Sequence, residues 1–584
     1  MLKLIGRLRR NDILMALLCS LLVLGQIYFD LELPDYMSDL TVLIETPGST
    51  MGDILHTGLE MLGCTLASAV LCVICGYLTA KVAAGFALTI RERVFNKIAD
   101  FGQHEMMSFS VPSLINRTTN DITQVQMVIA MGLQLIIKAP IMAVWAVLKI
   151  IDKSWELSVI TAAFVVALLL VMLVDIILVV PRFKRVQRLT DRINLVAREN
   201  LTGINVVHAY NAEDYQNEKF ARENSELMRT QLFNQRTFAF LMPVVTLGMN
   251  TLAMVIYWVG AALVNAIPAT DAAARIESFS NIVVFGTYAT YVVMSIMMLV
   301  IIIMLLPAAQ VSAQRINEVL DARSSIHEGT QTESGETGTV EFRNVSFHYP
   351  DGGEVLENIS FKAGRGETVA FIGATGSGKS TLVSLIARFY DATSGEVLVD
   401  GVNVKDYTFD ALYDRVGYVT QKAVLFSGDI RGNVLFGESR GGRSDEDVRR
   451  ALELAKAEFV SELPEGLDAP VAEGGTNYSG GQKQRLSIAR ALARHAEILI
   501  FDDSFSALDY RTDAALRAGL RDELDGTTKI IVAQRIGTIR GADKIIVLDD
   551  GKAVGMGTHD ELMKTCPVYQ EIARSQLSQA ELGA

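Results

Sequence analysis

Residues 373–380 read Gly373-Ala374-Thr375-Gly376-Ser377-Gly378-Lys379-Ser380, a G-x-x-x-x-G-K-S string set between TVAFIG and STLVSLIARFY. The β-branched stretch before it predicts a strand, and the spacing of apolar residues after it predicts a helix. Glycines at these offsets let successive backbone N–H groups converge on one anion, and the start of the helix adds its partial positive charge. Lys379 is then placed to reach the outer phosphates of a nucleotide, and the Ser380 hydroxyl to ligate Mg²⁺. This half of the chain is therefore expected to be an α/β P-loop domain.

Working outward, the apolar stretch ILIF ends in Asp502-Asp503. A first acid at a strand end suits an Mg²⁺ ion held through its water shell. Between the two elements stands Asn477-Tyr478-Ser479-Gly480-Gly481-Gln482, running into the basic helix KQRLSIARALARH. This Y-S-G-G-Q resembles the signature sequence of the ATP-binding cassette superfamily. Neighbouring elements resemble that family in order and spacing: Tyr349 as the adenine-stacking aromatic, Gln421 in the Q-loop, Glu473-Gly474, and Ser506-Ala507-Leu508-Asp509 as the D-loop. The resemblance implies ATP and Mg²⁺ as cofactors. It implies nucleotide contacts from Tyr349, Gly373, Thr375, Gly376, Ser377, Gly378, Lys379, Ser380, Thr381, Gln421 and Asp502, with Ser380, Gln421 and Asp502 facing the metal. It also implies that Ser479, Gly480, Gly481 and Gln482 complete the ATP site of a second cassette, so that a dimer is obligatory.

Two positions depart from the family pattern. Its members normally carry Glu after the strand-end Asp, as general base on the attacking water; here the residue is Asp503. Losing one methylene draws the carboxylate back, and position matters before pKa for a general base. The family normally carries His in the switch loop; here IVAQRIGTI places Gln534 there. A Gln amide can donate a hydrogen bond but cannot be charged or shuttle a proton. The expectation is a pocket that binds ATP and turns it over slowly. The chain then resembles the degenerate-site subunit of heterodimeric bacterial multidrug exporters, whose partner half-transporter would carry the Glu and the His.

The first 320 residues differ in kind. Mean hydropathy over the whole chain is +0.29, and the apolar runs crowd residues 12–34, 54–80, 124–151, 156–180, 237–265 and 280–306. Each is long enough to cross a bilayer, which takes about 20 residues. Helical periodicity runs on past Ala80 and past Pro181 into polar sequence, which predicts spans that continue into water. The expected organisation is a membrane domain over 1–320, a linker over 321–338, a cassette over 339–576 and a tail over 577–584. SLINRTTNDITQVQ, GINVVHAYNAEDYQNEKF and SAQRINEVLD resemble the exporter type of the family, which implies two short coupling helices, near 103–112 and 209–217.

Lys3, Arg7, Arg9 and Arg10, with the basic residues after spans two and four, contrast with an acidic stretch over Glu32–Gly58 that has no Lys or Arg. That bias predicts both termini in the cytoplasm of a multi-pass plasma-membrane protein, and the resemblance implies a bacterial one. Five N-x-S/T sequons then fall on the cytoplasmic side and are chance matches. The net charge of −13, without a basic stripe, argues against nucleic acid as a partner. Five cysteines make no disulfide framework; Cys64, Cys72 and Cys75 fall on one face of the second span and read as small packing residues.

The substrate leaves fainter marks. Tyr288, Tyr291, Met294, Met297, Met298 and Met304 enrich span six, which suits a cavity accepting many shapes and equally suits ordinary helix packing. Asp175, inside span four, is a candidate cation or proton site, and Lys138 in span three reads as structural, near the inner end. Export of drugs or other lipophiles is the leading function. The alternatives are import of a metal chelate on the same fold and an ATP-gated regulatory module.

Overall fold

The structure is a computed structural model that describes residues 2–7, 9–46, 48–151, 153–350, 352–437 and 444–577. The side chains of residues 2, 5, 176, 180, 184, 238, 303 and 304 fall outside the description, as does most of the expected tail. By contact the chain forms two compact units, Met1–Ile98 with Pro112–Asp321, and Ala99–Val111 with Ala322–Ala584.

The first unit is helical. Its long elements are α1 (Arg10–Glu45), α2 (Met51–Ala99), α4 (Asn120–Ile151), α5 (Trp155–Thr202), α7 (Glu213–Ala266) and α8 (Ala272–Asp321); the short α3 (Gln103–Phe109) and α6 (Ile204–Ala209) lie between them in sequence. Among the described residues, six stretches are long and apolar enough to cross a membrane. The 49 residues of α2 span about 73 Å at 1.5 Å per residue, more than twice the ~30 Å hydrocarbon layer. The expected aqueous extensions are therefore real. α1 also continues through Pro34, eleven residues past the expected end. Its acids there are matched from α4 and the turn after it: Lys149 lies 2.6 Å from Asp35 and 3.4 Å from Glu32, and Lys153 is 3.4 Å from Asp35.

Several expectations are corrected. The short helix between spans four and five is α6, at Ile204–Ala209, and residues 213–217 already belong to α7. The break falls at Asn211, whose φ of 50° is left-handed, a geometry Asn tolerates better than most residues. Lys138 is not at the inner end of its span. It sits midway along α4 and pairs with Asp30 of α1 at 2.9 Å. Cys75 alone of the three span-two cysteines is buried, facing Cys19 of α1, while Cys72 is exposed, so the three do not share a packed face.

In the second unit β1 (Val340–His348), β2 (Glu354–Ala363) and β4 (Ser394–Val399) form an antiparallel sheet with a two-residue strand at its edge. The main sheet has the order β9-β8-β3-β7-β6-β5, from β3 (Thr368–Gly373), β5 (Val416–Val419), β6 (Ile498–Asp502), β7 (Thr528–Val532), β8 (Lys544–Asp549) and β9 (Lys552–Gly557). Only β9 runs antiparallel to its neighbour. Val369–Ile372 and Ile498–Phe501 are at most 2 % exposed, as parallel strands covered on both faces should be.

α3 belongs to this unit. Glu105 accepts from the Gly102 N–H at 2.9 Å and from the Ser325 N–H at 3.0 Å, and the Tyr390 hydroxyl reaches the Met107 sulfur at 3.5 Å.

Asp400, just past β4, is 1 % exposed and accepts the Thr339 N–H at 2.8 Å. Burial, with Glu497 adding repulsion, pushes its carboxyl up to about 6 against the pull of Thr339 and Arg415. A carboxyl raised in the folded state stabilises below its unfolded value, and that stabilisation is lost as pH rises through about 6. Asp400→Asn is therefore expected to raise the unfolding midpoint of the chain at pH 7.5 and to raise it less at pH 4.5. Equal shifts at both pH values would contradict the assignment.

Candidate functional site

The carboxyl ends of neighbouring parallel strands deliver the site, the place where open α/β sheets bind ligands. β3 hands over at Gly373 to the loop 374–378, which leads into α9 (Lys379–Ile386). Gly378 has φ 92°, and a Cβ there would stand 2.7 Å from Leu356 Cδ2. Only glycine takes that turn without strain. Lys379 is 8 % exposed, and its ammonium donates to the carbonyls of Gly373 at 2.9 Å and Ala374 at 2.7 Å and to Ser377 Oγ at 3.2 Å. Burial holds its pKa below the usual lysine value.

β6 delivers the two acids. Asp502 accepts Ser380 Oγ on Oδ1 at 2.8 Å and the Tyr418 hydroxyl on Oδ2 at 3.2 Å. Asp503 has a left-handed φ of 46°, and its Oδ2 accepts two carboxamides, Gln421 at 3.3 Å and Gln534 at 3.0 Å. Desolvation raises the pKa of both acids; Ser380 and Tyr418 oppose the shift at Asp502, and Gln421 and Lys379 oppose it at Asp503. A buried cation and two buried acids thus face one loop, the cation suited to phosphate and the acids to a hard divalent ion. The oxygen donors of Ser380 and Asp502 suit Mg²⁺. Thr381 lies at the start of α9, where its hydroxyl meets that of Tyr349 at 2.9 Å. The Tyr349 ring meets Phe347 and Tyr390 edge-on. Gln421 stands on Asp503 instead of between Ser380 and Asp502.

The segment Ser479–Gln482 caps α10 (Gly480–Leu492). The Ser479 N–H donates to Gln482 Oε1 at 2.9 Å, and the Gln482 N–H to Ser479 Oγ at 3.4 Å. Ser479 and Gly480 are exposed, and Gly480 has open space around it. Among the described residues no hydrogen bond joins this segment to the loop of its own chain.

The expected substrate cavity does not assemble. Tyr288 is fully buried with its hydroxyl on the Leu31 carbonyl at 2.8 Å. Tyr291 and Met297 pack on the same helix core, Met298 is half-buried and Met294 faces outward. Asp175 lines a different cavity, between α5 and α7. Met304 lies outside the described side chains.

Sequence reading passed over Tyr418, one residue ahead of the strand-end Val419; the pairing of β5 with β6 is what brings it to Asp502. Tyr418→Phe would leave Asp502 Oδ2 buried without that donor, a loss of about 1–3 kcal/mol. The Mg²⁺ concentration for half-maximal nucleotide binding is expected to rise about tenfold, with Mg²⁺-free binding unchanged. Equal weakening with and without Mg²⁺ would assign Tyr418 a packing role only.

A phosphate-binding loop on a parallel sheet, in a chain whose described residues include six membrane-length helices, defines a membrane-bound ATPase. The family model described as ABC transporter matches residues 356–506, and the ABC transporter transmembrane region matches residues 14–296. The chain belongs to the ABC transporter family, whose members couple ATP hydrolysis to transport. An uncharacterised ABC transporter ATP-binding protein of Mycobacterium tuberculosis is 38 % identical over 565 residues, covering 94 % of each chain. An ATP-dependent lipid A-core flippase of Pseudomonas aeruginosa is 32 % identical over 497 residues, 83 % of this chain and 79 % of that one. A solved bacterial Atm1-family ABC exporter with ATP bound matches at TM-score 0.79 and 23 % identity, over 98 % of this chain and 99 % of that chain. The chain thus has the exporter fold, with the half-transporter arrangement of one membrane domain and one cassette.

Proposed function

We propose that this chain is one subunit of a heterodimeric exporter of lipophilic compounds, with its own ATP pocket holding nucleotide and hydrolysing it slowly. The observation that carries the reading is the state of Asp503: one oxygen of its short carboxylate already accepts from both Gln421 and Gln534. A general base must reach the water it activates; with Oδ2 held by the two carboxamides, Oδ1 of this shortened side chain is what remains for that task, and a neutral carboxamide at position 534 cannot take up a proton in its stead.

Within this reading Lys379 and the loop N–H groups hold the phosphates, Ser380 and Asp502 hold Mg²⁺, and Tyr349 flanks the base. Bound Mg²⁺ would supply neutralisation of phosphate charge. The exposed Ser479–Gln482 cap is free to serve the partner's nucleotide, and both termini lie in the cytoplasm, as the basic flanks favour. A lipid as cargo is a second reading, favoured by the likeness to the lipid A-core flippases.

The test is to purify the chain alone and with the product of the neighbouring transporter gene. Alone it is expected to bind ATP at micromolar concentration with little turnover; together the pair should hydrolyse ATP and respond to lipophiles. Robust turnover by the lone chain would sink the proposal.

A further inference from the structure

A cavity of about 760 Å³ lies between α5 and α7, within the membrane unit. That volume is in the range of built small-molecule sites, roughly 300–1,000 Å³. Leu170, Val174, Leu241 and Val244 line one end, and Asp175 and Arg236, with Leu178 and Phe233 beside them, the other. Asp175 is 9 % exposed, and no hydrogen bond or ion pair reaches its carboxylate among the described residues. Arg236 is exposed and also without a partner among the described residues. The nearby Arg182 is engaged, 3.8 Å over the Phe233 ring and donating to the Leu178 carbonyl at 2.6 Å.

An unpaired carboxylate among apolar side chains is costly, and a ligand of opposite charge removes the cost. Depth narrows the ligand. Asp175 stands 20 residues after Trp155, where α5 begins, about 30 Å along the axis. That is about the hydrocarbon thickness, so the acid lies at the edge of the leaflet next to the basic segment Arg182–Arg192. α7 runs antiparallel to α5, as the pairs Arg185–Glu226 and Lys219–Glu199 require. The apolar end of the cavity therefore points into the bilayer and Arg236 toward its surface.

We propose that this cavity binds a phospholipid of that leaflet with a zwitterionic, primary-amine headgroup, its ammonium on Asp175, its phosphate on Arg236 and its acyl chains along the apolar wall. A lone acid would suit any lipophilic cation and a lone base any anionic lipid. Two opposite charges without partners in one cavity suit a ligand that carries both. The inference rests on the exporter reading for the fate of the lipid, and it names the substrate class.

Three probes with one fluorescent acyl tail test it: a phosphatidylethanolamine, a phosphatidic acid and an alkylamine, titrated into the full-length assembled transporter in uncharged detergent. The phosphatidylethanolamine is expected to bind at least tenfold tighter than either other probe. Asp175→Asn should weaken it and the alkylamine at least fivefold, sparing the phosphatidic acid; Arg236→Gln should weaken it and the phosphatidic acid, sparing the alkylamine. Phosphatidylethanolamine binding unchanged in both variants overturns the proposal, as does alkylamine binding of equal tightness. Binding as expected, without ATP-dependent movement of the lipid in vesicles, supports the site and removes the export reading instead.

Discussion

Asp503→Glu with Gln534→His is expected to raise ATP turnover by the lone chain ten- to a hundredfold. A longer carboxylate regains the reach toward an attacking water, and an imidazole at 534 replaces a neutral amide donor with a group that can carry charge. General-base participation is worth about 10²–10⁴ in rate, so part of that range suffices. Each single change is expected to do less, because Asp503 and Gln534 are hydrogen-bonded to one another at 3.0 Å and bonded residues do not act additively. Steady-state phosphate release by the four proteins is the measurement. A flat series would mean that turnover is limited elsewhere, and the slow-pocket reading would fall.

In the two-subunit assembly, Ser479→Arg is expected to cut turnover at least fiftyfold, whereas Lys379→Met cuts it only a few-fold. The first puts a bulky cation on the exposed cap that, on the proposed reading, serves the partner's nucleotide. The second removes the ammonium from a pocket that, on the proposed reading, hydrolyses little, while abolishing nucleotide binding there. Among the described residues the Lys379 ammonium donates only to oxygens of Gly373, Ala374 and Ser377, so its loss should leave the sheet folded. The reverse ranking would assign catalysis to this chain's own pocket.

The nucleotide half was legible because its chemistry is local. Gly373 to Ser380 act through neighbouring backbone, and the strand before them and helix after them can be read from period alone. Six spans were legible for the same reason, since each must satisfy its backbone within itself. What stayed hidden depends on residues far apart in the chain. Nothing local shows that Tyr418 would meet Asp502, or that Lys149 and Lys153 would let α1 run through Pro34 to Glu45. Tyr288, Tyr291, Met294, Met297 and Met298 share a composition but not a face, so Tyr288 turned into the helix core and Asp175 lined a separate cavity. The second short helix was misplaced because Asn211, where the chain breaks, carries a weaker local signal than glycine would.

The hold of Glu105 on Gly102 and Ser325 bears on how this polypeptide can be cut and recombined. Its modules do not coincide with continuous stretches of gene: the cassette owns an insert, Ala99–Val111, encoded more than two hundred codons upstream of the rest. A chimaera joined only after Asp321 would give a foreign cassette the wrong loop. One that also exchanged Ala99–Val111 would keep both backbone contacts of Glu105 within a single inheritance.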